Sequence, residues 1–213
     1  MNLKFKKYWR KTSLKNKNDG IFLLNHIFSL KPKNLLEIGV FHGVTSRNIC
    51  ELLRLMHGND FKFTGIDLFD LDNKKLTEEI APQTKFSNPL KQIFYKYIIR
   101  SDPYSYKSVE KLLSKFKNNI SIIKGDSNIV LKQLNIGKFD YVFLDGGHKY
   151  ETVKNDLQCL NEVIKNKGTI LCDDYNLTYA PGIKNAIDEY IDNNNLNLRI
   201  LNDRFAEITN KSK

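Results

Sequence analysis

Acidic side chains follow several short apolar stretches of this 213-residue chain, each where the stretch ends. If those stretches are parallel strands, their carboxyl ends meet at one edge of a sheet, where doubly wound folds bind ligands. Carboxylates gathered there can accept hydrogen bonds from hydroxyl groups or hold a hard divalent cation. The pattern therefore predicts one polar ligand site, built from Asp67, Asp126, Asp145, Asp173 and Asp174.

A glycine turn follows the first predicted strand and contains five candidate ligand-binding residues, Glu37, Gly39, Gly43, Thr45 and Ser46. The turn lacks the G-x-G-x-x-G pattern, which argues against a dinucleotide. Its backbone N–H groups and two hydroxyls lie at a predicted helix start, an arrangement that suits a carboxylate. Asp67, at the next strand end, is placed to accept hydrogen bonds from ribose hydroxyls. A glycine turn alone is equally typical of a structural role, and its pairing with Asp67 favours the ligand interpretation.

His148 lies three residues after Asp145, so both side chains can face one pocket. Imidazole titrates near neutral pH, which makes His148 a candidate general base. Tyr150 and Tyr175 are candidates for the wall of an acceptor pocket. Buried tyrosines that only satisfy hydrogen bonds are an equal alternative for both.

Strand and helix patterns alternate from about residue 18 onward. Five strands are predicted, at 34–40, 61–66, 120–123, 139–144 and 169–172, with helices at 18–30, 45–55, 150–164 and 182–191. This alternation is typical of right-handed βαβ units and predicts an α/β, doubly wound, mainly parallel sheet. Two more strands, 196–201 and 204–208, are predicted to form an antiparallel C-terminal edge hairpin, which completes a seven-stranded sheet.

Length predicts one domain, residues 18–213, after a basic N-terminal arm, residues 1–17. Residues of about 68–110 interrupt the alternation and hold three of the five prolines. An insertion of this length is typical of a lid or binding element, and a structural cap over one sheet edge is an equal alternative.

The net charge is +10, and seven Lys and Arg residues precede the first acid, Asp19. The rest of the chain is nearly balanced, which argues against nucleic acid as a partner. We interpret the basic arm either as a solvated segment or as a weak contact to a membrane surface or polyanion.

Localisation is predicted from what the sequence does not contain. No apolar run approaches the roughly 20 residues of a membrane span, and no secretory apolar core follows the charges of the arm. The three cysteines lack C-x-x-C spacing and are interpreted as reduced packing residues. We therefore expect a cytoplasmic protein, and a homo-oligomer is compatible with the sequence.

Taken together, the motifs resemble a known family. The segment from Glu37 to Ser46, with Gly65-Ile-Asp67 and Gly125-Asp-Ser127, looks like the cofactor motifs of class I S-adenosylmethionine-dependent methyltransferases. The segments Asp145-Gly-Gly-His-Lys-Tyr150 and Asp173-Asp-Tyr175 resemble the branch of metal-dependent macrolide sugar O-methyltransferases and, more distantly, catechol O-methyltransferases. The resemblance covers residues of about 18–208.

The resemblance implies a role for each matching position. The methionine half of the cofactor would contact Glu37, Gly39, Gly43, Thr45 and Ser46, the ribose Asp67, and the adenine Asp126 and Ser127. A divalent cation would bind Asp145, Asp173 and Asp174, with Asp145 also near the cofactor and His148 as the catalytic base.

Elementary chemistry agrees with a cation, because converging carboxylates are costly without one and an all-oxygen set favours Mg²⁺, Ca²⁺ or Mn²⁺. Such a cation would lower the pKa of an acceptor hydroxyl. The alternative is that Asp173 and Asp174 only cap the turn that follows them.

The sequence thus predicts an S-adenosylmethionine-dependent O-methyltransferase that acts on a hydroxyl of a small molecule or sugar. A divalent cation is expected to assist it, with Mg²⁺ as the expected ion. Two alternatives stand beside it. One is a non-catalytic cofactor- or sugar-binding module of the same fold. The other is a hydroxylase-like relative, although no pair of histidines accompanies the acids as a non-haem iron site requires.

Overall fold

One seven-stranded sheet organises the protein, a computed structural model of which describes residues 2–69, 89–99 and 102–211. In chain order the strands are β1 (Asn34–Ile38), β2 (Lys62–Asp67), β3 (Ile120–Lys124), β4 (Tyr141–Leu144), β5 (Thr169–Cys172), β6 (Asn197–Leu201) and β7 (Phe205–Thr209). Their spatial order is β3-β2-β1-β4-β5-β7-β6. The pairs among β1 to β5 are parallel, and β7 pairs antiparallel with both β5 and β6. The predicted fold class is confirmed.

Helices connect the strands. They are α1 (Lys17–Leu30), α2 (Val44–His57), α3 (Pro89–Ile93), α4 (Tyr106–Leu113), α5 (Ser127–Val130), α6 (Tyr150–Cys159), α7 (Asn161–Lys165) and α8 (Pro181–Asn194), with a π-helical turn at Phe94–Ile99. The helix predicted at 150–164 is therefore two helices. Leu160, which is fully buried, has a ψ of 0° and bends the chain between them.

The sheet is covered on both faces. Leu36 and Ile38 of β1 belong to an apolar cluster shared with α6 and α8, whereas Leu35 belongs to a second cluster shared with α1 and α2. Neighbouring residues of a strand point to opposite faces of the sheet, so a single apolar strand contributes side chains to both clusters. This three-layer packing holds the strand ends in a fixed arrangement.

The basic arm packs against this frame. Phe5 and Leu14 are 4% and 0% exposed and belong to the cluster that contains α1 and α2. The Lys6 backbone N–H donates to Asn48 Oδ1 at 2.9 Å, and Asn48 Nδ2 donates back to the Lys6 carbonyl at 2.8 Å. The structure thus differs from the solvated segment considered for residues 1–17, because two apolar side chains of the arm are part of the core.

The predicted insertion at about 68–110 is only partly described. Residues 70–88 and 100–101 lie outside the described residues. At its other end, α4 begins at Tyr106 and forms the last part of the α-helical connection between β2 and β3. Within the described part of the chain, no helix has the length and apolar character that crossing a bilayer requires.

The C-terminal hairpin turns at Asn202 and Asp203, as predicted. Both have positive φ, 54° and 50°. Asn and Asp tolerate this conformation, and consecutive left-handed residues match the twist of a two-stranded hairpin. The turn brings Arg204, which precedes β7, to the same edge as the end of β5, where the Tyr175 N–H donates to the Arg204 carbonyl.

Candidate functional site

A cavity of about 690 Å³ lies at the carboxyl ends of β1, β2 and β4. This volume is in the range of small-molecule sites, and the position is the switch in strand order where doubly wound sheets bind ligands. The strand ends and their loops contribute Gly39, Asp67, Asp126, Ser127, Asp145, His148 and Asp174. The basic arm contributes Lys7, Arg10, Lys11, Thr12, Ser13 and Lys15.

Gly39 sets the close approach of β1 and β4. Its φ is +95°, and a Cβ at this position would lie 2.1 Å from the Asp145 carbonyl oxygen. A side chain there would force the two strand ends apart. Gly39 lies in the cavity wall, and its contact with a cofactor stays a prediction.

The other members of the glycine turn lie behind the cavity rather than in its wall. Thr45 and Ser46 are buried in the first turn of α2, which begins after Gly43. Glu37 is fully buried, and its Oε2 accepts a hydrogen bond from Ser46 Oγ. Burial, with the nearby charge of Asp67, raises the pKa of Glu37 to about 8 despite that hydrogen bond. Their direct contact with a cofactor stays a prediction.

Asp67 is held firmly at the end of β2. Its Oδ2 accepts from the Phe41 N–H at 2.6 Å, and its Oδ1 accepts from the Phe69 N–H at 3.0 Å and from the Tyr104 hydroxyl at 2.7 Å. A carboxylate has about four acceptor positions. These three bonds leave one acceptor position of Oδ2 unassigned, and Asp67 lies in the cavity wall.

Asp126 and Ser127 line the same cavity from the start of α5. Asp126 caps that helix, because its Oδ1 accepts from the Asn128 N–H at 2.9 Å. Capping fixes the direction of the carboxylate, and the contact of Asp126 and Ser127 with an adenine stays a prediction.

The three remaining acids form what we call the acidic cluster, Asp145, Asp173 and Asp174, in which one carboxylate oxygen of each residue lies within 4.8 Å of one oxygen of each of the other two. Arg204 contacts this cluster. Its guanidinium donates to both oxygens of Asp173, at 2.5 and 2.6 Å, and pairs with Asp174 Oδ1 at 3.0 Å. Ser13 Oγ donates to Asp145 Oδ2 at 2.6 Å. The structure therefore supplies a cation that the sequence did not reveal.

Burial and mutual repulsion decide the ionisation of this cluster. Burial, with the charges of Asp173 and Asp174, raises the pKa of Asp145 well above its usual range, although the Ser13 hydroxyl opposes the change. Burial also opposes ionisation of Asp174, but its contacts with His148 and Arg204 outweigh it and lower the pKa of that carboxyl. Without a further cation, Asp145 is the member that most readily keeps a proton.

His148 lies at the cavity with about half of its side chain exposed, and its Nε2 is 3.7 Å from Asp174 Oδ2. Tyr150 and Tyr175, the residues predicted to line the pocket of the methyl acceptor, lie away from the cavity. The Tyr175 hydroxyl donates to Asp188 Oδ1 at 2.6 Å, and the Tyr150 hydroxyl donates to Glu189, both on α8. Neither tyrosine is part of the cavity wall, so their contact with an acceptor stays a prediction.

Sequence reasoning did not assign several contributors to the site, among them Arg10, Ser13, Tyr104 and Arg204. No local pattern marks them, since their partners are far away in the chain. Phe5 and Leu14, apolar within a basic stretch, were the available signal that the arm packs onto the body.

Comparison with known proteins gives one family and a shared fold. The family model described as a methyltransferase domain matches residues 36–175, and no curated protein matches the chain. A methyltransferase from Podospora anserina, solved with S-adenosylhomocysteine bound, is 20% identical with a TM-score of 0.60, over 93% of this chain and 80% of that chain.

Two further solved structures are similar. TDP-rhamnose 3′-O-methyltransferase, an enzyme in calicheamicin biosynthesis, is 15% identical with a TM-score of 0.62, over 93% of this chain and 81% of that chain. The O-methyltransferase TomG from Streptomyces achromogenes, solved in complex with S-adenosylmethionine, is 12% identical with a TM-score of 0.57, over 91% and 78%. At these identities the likeness establishes the fold.

Proposed function

The chain belongs to the methyltransferase domain family, and from this membership we propose that it transfers a methyl group from S-adenosylmethionine to a hydroxyl of a small molecule or sugar. One observation carries the proposal. A single cavity holds Gly39 and Asp67, suited to a nucleoside cofactor, together with His148, suited to deprotonating a hydroxyl, and Asp145 of the acidic cluster.

The cofactor would lie along the ends of β1, β2 and β3. Asp67 Oδ2 would accept from a ribose hydroxyl, and Asp126 with Ser127 would face the adenine. The glycine turn would pass the methionine half at Gly39, with Glu37, Gly43, Thr45 and Ser46 supporting the turn from behind. The solved structures with bound S-adenosylmethionine or S-adenosylhomocysteine support this cofactor.

Methyl transfer needs an acceptor oxygen in line with the sulfonium methyl group. The oxygen forms a bond to the methyl carbon while the carbon–sulfur bond breaks, and the hydroxyl proton must leave. His148 is the proposed base, because its ring faces the cavity and its Nε2 lies near Asp174, which stabilises the imidazolium that forms. Asp145 would lie beside the transferred group.

The proposal also includes a divalent cation, because the oxygen donors of the acidic cluster suit such an ion. Three carboxylates within 4.8 Å of one another are hard oxygen ligands of the kind that Mg²⁺ prefers. When bound there, the cation would lower the pKa of a coordinated acceptor hydroxyl. Asp173 already binds Arg204 with both oxygens, so Asp145 and Asp174 offer most of the remaining donor capacity.

The two alternatives make different demands on this site. Among the described residues, His148 is the histidine of the cavity wall, which disfavours the two-histidine iron site of a hydroxylase-like relative. A non-catalytic binding module would use the cofactor pocket but would not need a base beside the acids.

The test combines binding of S-adenosylhomocysteine, measured by calorimetry, with transfer of radiolabelled methyl to a panel of sugars, nucleotide sugars and phenols. We expect binding by the wild-type protein and about tenfold weaker binding by Asp67→Asn, because a ribose hydrogen bond to a charged acceptor is weakened. For His148→Ala we expect unchanged binding and turnover lower by about 10²- to 10⁴-fold.

Asp60→Asn and His57→Ala are the matched controls. Asp60 lies just before the amino end of β2, at the end opposite to Asp67, and His57 lies on the last turn of α2. Absence of S-adenosylhomocysteine binding by the wild-type protein would refute the proposal. If the wild-type protein and His148→Ala show equal turnover, His148 is not the base. Binding of S-adenosylhomocysteine without methyl transfer to any acceptor would favour the non-catalytic binding module.

A further inference from the structure

Asp67 lies in the cavity wall with most of its hydrogen-bonding capacity already used. Its Oδ1 accepts both from the Phe69 N–H, at 3.0 Å, and from the Tyr104 hydroxyl, at 2.7 Å. Its Oδ2 accepts from the Phe41 N–H at 2.6 Å. Since each carboxylate oxygen has about two acceptor positions, these bonds fill Oδ1 and leave one position on Oδ2.

The two N–H groups are held by an unusual backbone conformation. Phe41 and Phe69 have φ values of 50° and 49°. Positive φ is uncommon for residues other than glycine and is a strained conformation for a bulky side chain. Strain of this kind clusters where a site must keep one geometry. Because both strained residues donate to the same side chain, the direction of the Asp67 carboxylate is the geometry that they maintain.

Tyr104 is the side-chain donor among the three, and packing fixes its position. The residue is 5% exposed and belongs to an apolar cluster with Val40 and Phe69. Its backbone N–H donates to Asp102 Oδ1 at 2.8 Å. Tyr104 also lies in the cavity wall. Its hydroxyl therefore takes a position on Asp67 Oδ1 that a ligand in the cavity could otherwise use.

This arrangement limits what Asp67 can recognise. A ribose ring carries two neighbouring hydroxyls, and a carboxylate with both oxygens available can accept one hydrogen bond from each of them. At Asp67 the Tyr104 hydroxyl takes the place of one such donor. The position that is left on Oδ2 suits one ribose hydroxyl. The second hydroxyl would have to displace Tyr104 in order to reach Oδ1.

We propose that Tyr104 is a positioning residue that restricts Asp67 to one of the two ribose hydroxyls of the cofactor. The cofactor site then requires one hydroxyl and tolerates the loss of the other. This role rests on the proposed function for the identity of the ligand as S-adenosylmethionine. It adds a residue from the segment before α4 that sets which part of the nucleoside is recognised.

The test compares the binding of S-adenosylhomocysteine with that of its two analogues that each lack one ribose hydroxyl, by calorimetry on the full-length protein. For the wild-type protein we expect one analogue to bind about tenfold more weakly than S-adenosylhomocysteine, because a hydrogen bond to a charged acceptor is lost. The other analogue should bind within about twofold of S-adenosylhomocysteine. Equal affinities of the two analogues, whether weakened or not, would overturn the proposal.

Tyr104→Phe keeps the ring and removes the hydroxyl, which opens a position on Oδ1 to the second ribose hydroxyl. In this variant we expect both analogues to bind about tenfold more weakly than S-adenosylhomocysteine, because both hydroxyls now contact Asp67. Tyr106→Phe is the matched control, since the Tyr106 hydroxyl donates to Glu110 at 3.0 Å and its ring lies edge-on to Phe69 at a centroid distance of 5.7 Å. The control should reproduce the wild-type pattern.

Two further results would also overturn the proposal. One is an unchanged pattern in Tyr104→Phe, because Tyr104 would then not restrict Asp67. The other is a difference between the analogues that persists in Asp67→Asn, which should bind all three ligands with similar affinity once the charged acceptor is gone. Failure of the wild-type protein to bind S-adenosylhomocysteine would refute the proposed function, whereas binding without a difference between the analogues would refute only the restriction by Tyr104.

Discussion

At the scale of single residues, Arg204 changes how the acidic cluster is understood. Converging carboxylates need a compensating cation, and the guanidinium provides one by contacting both Asp173 and Asp174. A divalent ion in the same cluster would be repelled by it. For charges of one and two about 4 Å apart, the repulsion is roughly 8 kcal/mol at an effective dielectric constant of about 20, before the carboxylates offset it. Arg204 should therefore weaken the binding of any metal.

We accordingly predict that Arg204→Gln binds Mn²⁺ about tenfold more tightly or better than the wild-type protein, as measured by the loss of the free-ion signal in electron paramagnetic resonance. The variant should also be less stable without metal, because the buried Asp173 and the partly buried Asp174 lose their partner, and Mn²⁺ should restore part of that stability. Metal removal by chelation should consequently lower the melting temperature of the variant more than that of the wild-type protein.

Arg199→Gln is the matched control, because it removes the same charge from the neighbouring β6, where Arg199 pairs with Glu207 at 3.2 Å. If Arg204→Gln binds Mn²⁺ no better than this control, the guanidinium is not a competitor. If it binds more weakly, Arg204 helps to position the metal ligands instead.

At the scale of elements, the sequence predicts what depends on local pattern. The seven strands, the turn at Asn202 and the acids at strand ends follow from periodicity and turn chemistry. Arg10 could not be placed in this way, because its partner Ser108 lies 98 residues away. Arg204 lies 31 residues from Asp173, and the two meet only because β7, which follows Arg204, pairs with β5 in the assembled sheet. Such contacts depend on tertiary packing rather than on neighbouring residues.

The contact between the basic arm and α1 predicts that a Gly-to-Ala change in α1 destabilises the protein, although helix propensity alone predicts stabilisation. Gly20 lies within α1, where replacing glycine by alanine ordinarily increases stability by up to about 1 kcal/mol. A Cβ at Gly20, however, would lie 2.3 Å from the Phe5 ring. We expect Gly20→Ala to lower the free energy of unfolding by about 1 to 3 kcal/mol, measured by urea denaturation, because the ring must leave its buried site.

The control for this prediction is the same change in a Phe5→Ala background, where the added methyl group meets no ring. There Gly20→Ala should be neutral or stabilising, and the difference between the two backgrounds is the coupling energy. A stabilising Gly20→Ala in the wild-type background would contradict the placement of Phe5 against α1.

At the scale of the whole molecule, the basic arm joins the core to the site. Phe5 and Leu14 are buried with α1 and α2, whereas Lys11 and Ser13 line the cavity. The division into an arm at 1–17 and a domain at 18–213 stays a prediction. If the arm closes the cavity, a ligand that fills the cavity must favour the closed arm, and the two equilibria are linked.

Trypsin reports on that linkage, because seven lysines and arginines lie in the first 17 residues. Cleavage follows the population of the open arm when reclosing is faster than proteolysis. We expect cleavage after Lys11, monitored by intact mass spectrometry, to slow when S-adenosylhomocysteine is added.

Arg10→Ala should accelerate this cleavage about tenfold, because the arm loses its hydrogen bonds to His42, Pro103 and Ser108. Arg199→Ala, on the distant hairpin, should leave the rate unchanged. Equal rates in all three proteins, with no response to ligand, would mean that the arm opens independently of the site.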